Sequence, residues 1–327
     1  MYLAFDATTA PALASTGSSS ATTMELLLNS VFLATADQRG QARGDVMRQQ
    51  GTFRPRIKPI SLPRTSSKRP TPKGMAFIST AIADARLASW KAEAARQARG
   101  EIGGRNAHRT VISLFDASGV LAQPWVDAGY SVVTYDLQTG GDISQFDAEN
   151  LLEQHGNDDV WAILAQPPCT DFASSGAQWW KEKDADGRTA ASNELVLQTL
   201  RTIELFRPPV WVMENPVGRI RKQNSLPAPL LKFDPWHFGD NYTKRTELYG
   251  NFRNELPIAP VEPIEGSKMH RLSSSAKFER SLTPEGFAYA LFMANNAESF
   301  DPIERAARKF PGVSVALLRA AMSAGHS

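Results

Sequence analysis

Four apolar runs of strand length, "TVISLF", "YSVVTYDL", "DVWAILA" and "PVWVMEN", constrain this chain more than any other feature. They are rich in aliphatic and β-branched residues and nearly continuous in hydrophobicity, as expected of strands buried on both faces. Helix-forming stretches separate them. "LAQPWVDAG" reads as a helix ending at Gly129, and "NELVLQTLRTIELFR" as a long one. Strands that alternate with helices imply a mostly parallel, doubly wound sheet of the Rossmann-like α/β class. Ligands in such sheets gather beyond the carboxyl ends of the strands. Asp116, Asp136, Cys169 and Glu214 all sit at such ends. Their common placement says more than any one of them alone.

The remainder of the 327 residues is organised around that pattern. Apolar residues make up 42 % of the chain, enough for a substantial core. Residues 1–110 hold about 16 Lys and Arg against 7 Asp and Glu, a net charge of about +9. The whole chain carries +2, which leaves about −7 for the rest. A basic segment joined to a mildly acidic body favours a polyanionic partner, nucleic acid first. A solvated tail whose charge only maintains solubility is the plainer reading. The stretch "FRPRIKPISLPRTSSKRPTPKG" is rich in Pro and basic residues, and residues 1–74 are expected to be mostly disordered. "MAFISTAIADARLASWKAEAARQARG" reads as a helix and gives a helical linker over 75–105. The catalytic domain is expected over 106–300, with a short insert at 251–281, followed by a helical tail over 301–327. A single cysteine excludes an internal disulfide and a zinc site built on cysteines. "DADG" lacks the later ligands of a calcium loop, so no metal is expected. There is no apolar run of 18 residues and no secretory signal pattern, so the expected location is the cytoplasm and no membrane contact is foreseen.

Two places carry the chemistry. "SLFDASG" is a strand, a turn of small residues and a helix start, where a ligand can approach the backbone. Asp136 follows about twenty residues later at the next strand end, where an acid binds ribose hydroxyls or merely serves as a loop carboxylate. There is no Walker lysine motif, so phosphate hydrolysis is unsupported. Cys169 follows Pro167 and Pro168, which stiffen the backbone just past the third strand. A nucleophile needs that rigidity. A lone cysteine is otherwise a small buried hydrophobe.

The residues then reach a family. "AQPPCTDFASSGA" resembles the catalytic loop of DNA cytosine carbon-5 methyltransferases, and "WVMENPVGRI" resembles their Glu-Asn motif at about the right distance. "SLFDASGVLAQPWVDAGYSVVTYDL" is similar to their cofactor loop and acidic second strand, and "GGDISQF" to their Gly-Asp-Ile motif. "YTKRTELYG" stands at their Arg-x-Arg motif, and "SLTPEGFAYALFMANNA" is similar to the closing helix. The six motifs cover about residues 108–300 in family order. The resemblance implies a Rossmann-like S-adenosyl-L-methionine-dependent enzyme acting on double-stranded DNA. Its target cytosine would be flipped out of the helix. Cys169 would be the nucleophile, Glu214 the acid at ring nitrogen 3, and Arg245 a residue holding the base. Phe115, Gly119, Asp136, Asp142 and Ile143 would line the cofactor site.

The chain departs from the family at several points. Ala117 replaces the first glycine of the cofactor turn, Ser113 the acid that opens it, Thr243 the first arginine of Arg-x-Arg, and Pro216 the usual Val after Glu-Asn. About thirty residues separate Gly250 from Ser281, too few for the family's recognition region. These departures imply a phage-like, divergent member with short or relaxed sequence specificity. Rival readings keep the fold but change the reaction, to RNA or to another group on carbon 5. A further rival is an inactive nucleic-acid-binding protein, which would need neither Cys169 nor Glu214. Elsewhere, Arg219, Arg221 and Lys222 are equally phosphate contacts or a solvated loop. "KEKDADGRT" reads as an exposed loop that either closes over DNA or is a connector. Trp179 and Trp180 are expected one on the surface and one packed, and His237 is structural.

Overall fold

The structure, a computed structural model, describes residues 75–99, 106–136, 147–267 and 277–309. All of them belong to one compact unit that spans Arg64–Ser327. Its centre is a six-stranded sheet in the order β2-β1-β3-β4-β6-β5. The strands are β1 (Arg109–Leu114), β2 (Ser131–Tyr135), β3 (Asp159–Ala165), β4 (Val210–Pro216), β5 (Leu231–Phe233) and β6 (Thr246–Asn251). The first four are parallel; β6 runs antiparallel to both β4 and β5. The four apolar runs of the sequence are these four parallel strands. The fold is the doubly wound, Rossmann-like α/β class.

Helices cover both faces. In chain order they are α1 (Thr80–Ala98), α2 (Gln123–Asp127), α3 (Ala148–His155), α4 (Trp180–Ala185), α5 (Arg188–Phe206), α6 (Ile220–Gln223), α7 (Lys277–Ser281), α8 (Glu285–Asn295) and α9 (Pro302–Lys309). Successive residues of a strand point to opposite faces, and each face has its own core. Val111, Trp161, Leu164, Val210 and Val212 join Trp90, Trp125, Phe287 and Phe292 on the side of α1, α2 and α8. Ile112, Leu114, Ile163, Ala165 and Met213 join Leu151, Val196 and Ile203 on the side of α3 and α5.

Where it is described, over residues 75–99, the expected helical linker packs onto the body. Within it, α1 is capped by the Ser79 hydroxyl and buries Ala83, Trp90 and Ala94 against the first core. Small residues at 83 and 94 bring its backbone close, and Trp90 fills the remaining space. The insert is likewise packed down where it is described. Leu256, Ala259 and Val261 are buried, and Thr243 bridges to Ser267. At the other end, Arg253 pairs with Glu304 of α9 and stacks over Phe300, which ties the start of the tail to the body. The expected disorder over 1–74 and the Asp142–Ile143 site lie outside the described residues, as does most of the tail beyond Lys309. Among the described residues no helix is long and apolar enough to cross a membrane.

Candidate active site

Chain connectivity reverses between β1 and β3, because β1 is flanked by β2 on one side and β3 on the other. The loops after β1 and β3 leave the sheet at this switch point, where doubly wound sheets form their crevice. Phe115 opens the first loop at φ 62, a left-handed conformation that is rare for a bulky residue. Gly119 has φ +69, with open space where a Cβ would stand, so glycine serves the backbone there rather than the packing. Asp116 folds back on the turn. Its carboxylate accepts hydrogen bonds from Ser113 Oγ, Ser118 Oγ and the Ala122 amide at 3.1–3.3 Å. Burial pushes its carboxyl up, and those hydrogen bonds oppose the rise. Asp116 is therefore committed to shaping the turn. Asp136, at the end of β2, is buried beside it in the sheet order.

The loop after β3 holds Cys169 and is clamped from several sides. Gln166 N donates to Leu114 O at 3.0 Å, and Asn215 Nδ2 donates to Pro167 O at 3.0 Å. The amides of Phe172 and Ala173 both donate to Cys169 O. Arg219 is buried and donates to Asp171 O, Asp184 and Thr189, with its guanidinium over the Trp180 ring. Lys183, also buried, donates to Thr170 O and pairs with Asp171. Gly218 passes so near that a Cβ there would stand 1.9 Å from Phe172 O. Two expectations change here. Arg219 faces the loop and is not free for phosphate. "KEKDADGRT" is mostly α4 and the start of α5, anchored by Lys183 and Asp184. Arg221 and Lys222 are exposed. Trp179 is 53 % exposed while Trp180 packs beneath Arg219. His237 forms a capping box with Asp234, a structural role.

Glu214 reaches the same end of the sheet from β4, next to β3. Burial raises its carboxyl above the ordinary 4.5; the charge of Lys244 and contacts from Gln166 and Thr246 pull it back. Burial also raises the Cys169 thiol. Lys244 lowers it, Glu214 raises it further, and the Cys169 amide and Arg280 lower it. Cys169 and Glu214 thus feel each other, and both feel Lys244. Cys169 is a free cysteine and partly exposed. Arg245 is placed differently. Its side chain is 53 % exposed and bound to Asp234 at 2.9 Å. Lys244 was not singled out in the sequence, nor were Gln166 and Thr246. Gln166 Nε2 also donates to Thr283 Oγ1 at 2.6 Å, which links the site to the entrance of α8.

Among the described residues no group of three or more His, Cys, Asp or Glu is placed to hold a metal ion. The strained turn at Phe115 and Gly119 and the carboxylate of Asp136 fit a nucleoside-bearing cofactor, which needs backbone approach and an acceptor for ribose hydroxyls.

No family model and no curated protein matches the chain. Among solved structures, one is described as a candidate DNA modification methyltransferase encoded within a prophage (E. coli). It aligns with a TM-score of 0.32 and 18 % identity over 43 % of this chain. The chain spans 45 % of that structure's length.

Proposed function

We propose that this protein transfers a methyl group from S-adenosyl-L-methionine to carbon 5 of cytosine in DNA, through a covalent adduct of Cys169. The observation that carries the reading is the meeting of a partly exposed thiol and a buried carboxyl. Cys169 follows β3 and Glu214 lies near the end of the neighbouring parallel strand β4, whose Asn215 ties the Cys169 loop through Pro167 O.

Carbon 5 of cytosine is a poor nucleophile, and the chain's residues supply the means to change that. The thiolate of Cys169 adds to carbon 6 and forms a carbon–sulfur bond. The ring electrons move toward nitrogen 3, which takes the proton of Glu214. A carboxyl whose proton is held more firmly because of burial is suited to that step. When bound, the cofactor supplies the electrophilic methyl group that carbon 5 accepts. Carbon 5 then releases its proton to water. The carbon–sulfur bond breaks with its electrons returning to Cys169, and nitrogen 3 returns its proton to Glu214. Phe115, Gly119 and Asp136 would hold the cofactor, with Asp142 and Ile143 from outside the described residues. The target atom is hidden in a duplex, so the base must be flipped out.

The reading is tested by incubating the protein with unmethylated duplex DNA and S-adenosyl-L-methionine, then analysing nucleosides by mass spectrometry. 5-Methylcytosine is expected with the intact protein and not with Cys169→Ala. Its absence on duplex, single-stranded DNA and RNA alike would overturn the reading. Mapping the same DNA checks specificity: a short or degenerate site is expected, since the insert is brief and Leu256, Ala259 and Val261 are used in packing.

A further inference from the structure

In the stretch "KEKDADGRT" only Lys183 and Thr189 are buried. Lysine is among the residues least often buried, and its charge is costly away from water unless it is paired. Lys183 is 6 % exposed. An apolar residue of similar size would pack there at less cost, so its place on α4 needs a reason. Its contacts supply one. Lys183 Nζ donates to Thr170 O at 2.5 Å and stands 3.2 Å from Asp171 Oδ1. Asp171 is buried as well, and its Oδ2 accepts from Ser192 Oγ of α5 at 2.6 Å. The directed hydrogen bond of the ammonium goes to the carbonyl and not to its counter-ion, because Asp171 Oδ1 has no hydrogen-bond partner among the described residues. The carboxylate supplies the charge that keeps an ammonium in the interior. The ammonium directs its proton at the peptide next to Cys169.

That peptide is the part of the loop that β4 does not hold. Asn215 Nδ2 holds Pro167 O before Cys169. After it, Arg219 Nε holds Asp171 O and Arg219 N holds Phe172 O. The turn itself is closed by the amides of Phe172 and Ala173 on Cys169 O, at 3.0 and 2.8 Å. Thr170 O lies between these anchors, and Lys183 reaches it from a helix outside the sheet. A peptide is a rigid plane that turns about its two flanking Cα atoms. Holding the planes on either side leaves the middle one free to turn, and a donor fixed on its oxygen removes that freedom.

We infer that Lys183 is a positioning residue for Cys169: its ammonium fixes the Thr170 peptide from α4, with Asp171 as its counter-ion. The buried pair is kept for the placement of the loop, and a purely apolar contact between α4 and the loop would not supply it. This rests on Cys169 being the nucleophile proposed above. Lys183 acts through Thr170.

The experiment separates placement from stability with two variants of the full chain. Lys183→Met removes the donor but also leaves Asp171 buried without its counter-ion, so its melting temperature should fall. Adding Asp171→Asn removes that charge and keeps an acceptor for Ser192 Oγ, so the double variant should regain most of the loss. Amide hydrogen exchange without DNA then reads the loop. In the double variant the amides of Phe172 and Ala173 are expected to exchange about 10- to 150-fold faster than in the wild type, the factor for a lost hydrogen bond to a charged group. Amides of β3 should exchange at the wild-type rate. The kcat of methyl transfer should be about 10²-fold lower, with KM for DNA little changed. Lys183→Arg keeps the charge and a donor and should restore part of the protection. A double variant that regains protection and kcat together with its melting temperature would limit Lys183 to stability and overturn the inference. Unchanged exchange at Phe172 and Ala173 would overturn it as well. Should Lys183→Met alone fail to fold, the double variant carries the test. The two readings fail separately. Wild-type protein that forms no 5-methylcytosine, beside a double variant with a loosened loop, loses the methyl-transfer reading alone. Methylation by the wild type with an unmoved loop in the double variant removes the role of Lys183 alone.

Discussion

At the scale of single residues, the buried carboxyl of Glu214 makes stability depend on pH. Its pKa in the folded protein lies above the ordinary 4.5 because burial disfavours the charged form. Below that ordinary value both folded and unfolded chains hold the proton, and the folded state bears no penalty. As pH rises toward the folded value, the unfolded chain releases its proton first and unfolding becomes easier. The stability that goes with the neutral form is lost once the folded carboxyl ionises. Gln at this position has nearly the same shape and never ionises. Glu214→Gln is therefore expected to melt near the wild-type temperature at about pH 4 and above it at pH 8 by thermal denaturation. The same variant should lose about 10²–10⁴-fold in methyl transfer, the usual span for a removed general acid. A variant less stable than wild type at the higher pH would show that Glu214 is ionised and paired in the free protein.

At the scale of elements, the Cys169 loop is held firmly because the end of β4 grips it. Gly218 meets Phe172 O and bridges Ala173, Asn215 holds Pro167 O, and Arg219 spans the loop to α4 and α5. Gly218→Ala must displace that backbone, since its Cβ would meet a carbonyl at 1.9 Å. We expect a loss of about 1–3 kcal/mol in chemical denaturation, the usual range for overpacking. Methyl transfer should fall more than the folded fraction does, because Cys169 moves with the loop. Equal losses would mean that the grip serves stability only. This grip also marks the limit of what the sequence reveals. The four parallel strands were legible because each is a continuous apolar run, and the placement of Cys169 and Glu214 at one end of the sheet because each stands where such a run ends. Arg219 was not, because an arginine in a basic loop looks solvated until tertiary packing buries it over Trp180. Lys244 was overlooked for another reason: Arg245 beside it drew attention by family likeness, although the charge of Lys244 is the one that reaches Cys169 and Glu214.

At the scale of the whole molecule, the charge asymmetry and the position of α1 lead to one experiment. Residues 1–74 carry about 10 Lys and Arg against 4 Asp and Glu, whereas α1 begins just beyond them and buries Trp90 in the core shared with α2 and α8. A chain that starts at residue 75 keeps the whole of that core. A chain that starts at residue 106 is without Trp90, Ala83 and Ala94 and exposes the face they cover. A single large apolar side chain contributes about 1.5–3 kcal/mol on burial, so the shorter chain should melt well below the longer one or aggregate. The longer chain should remain folded but bind duplex DNA with a flatter dependence on salt. The slope of log affinity against log salt shrinks by about 0.9 for each phosphate that the protein ceases to neutralise. Fluorescence anisotropy of a labelled duplex between about 50 and 200 mM salt reads that slope directly. An unchanged slope would mean that the basic segment neutralises no phosphate and would assign its charge to solubility. A flattened slope with methylation intact at low salt would separate the two parts of the chain, one holding the polyanion and the other presenting Cys169 to the base.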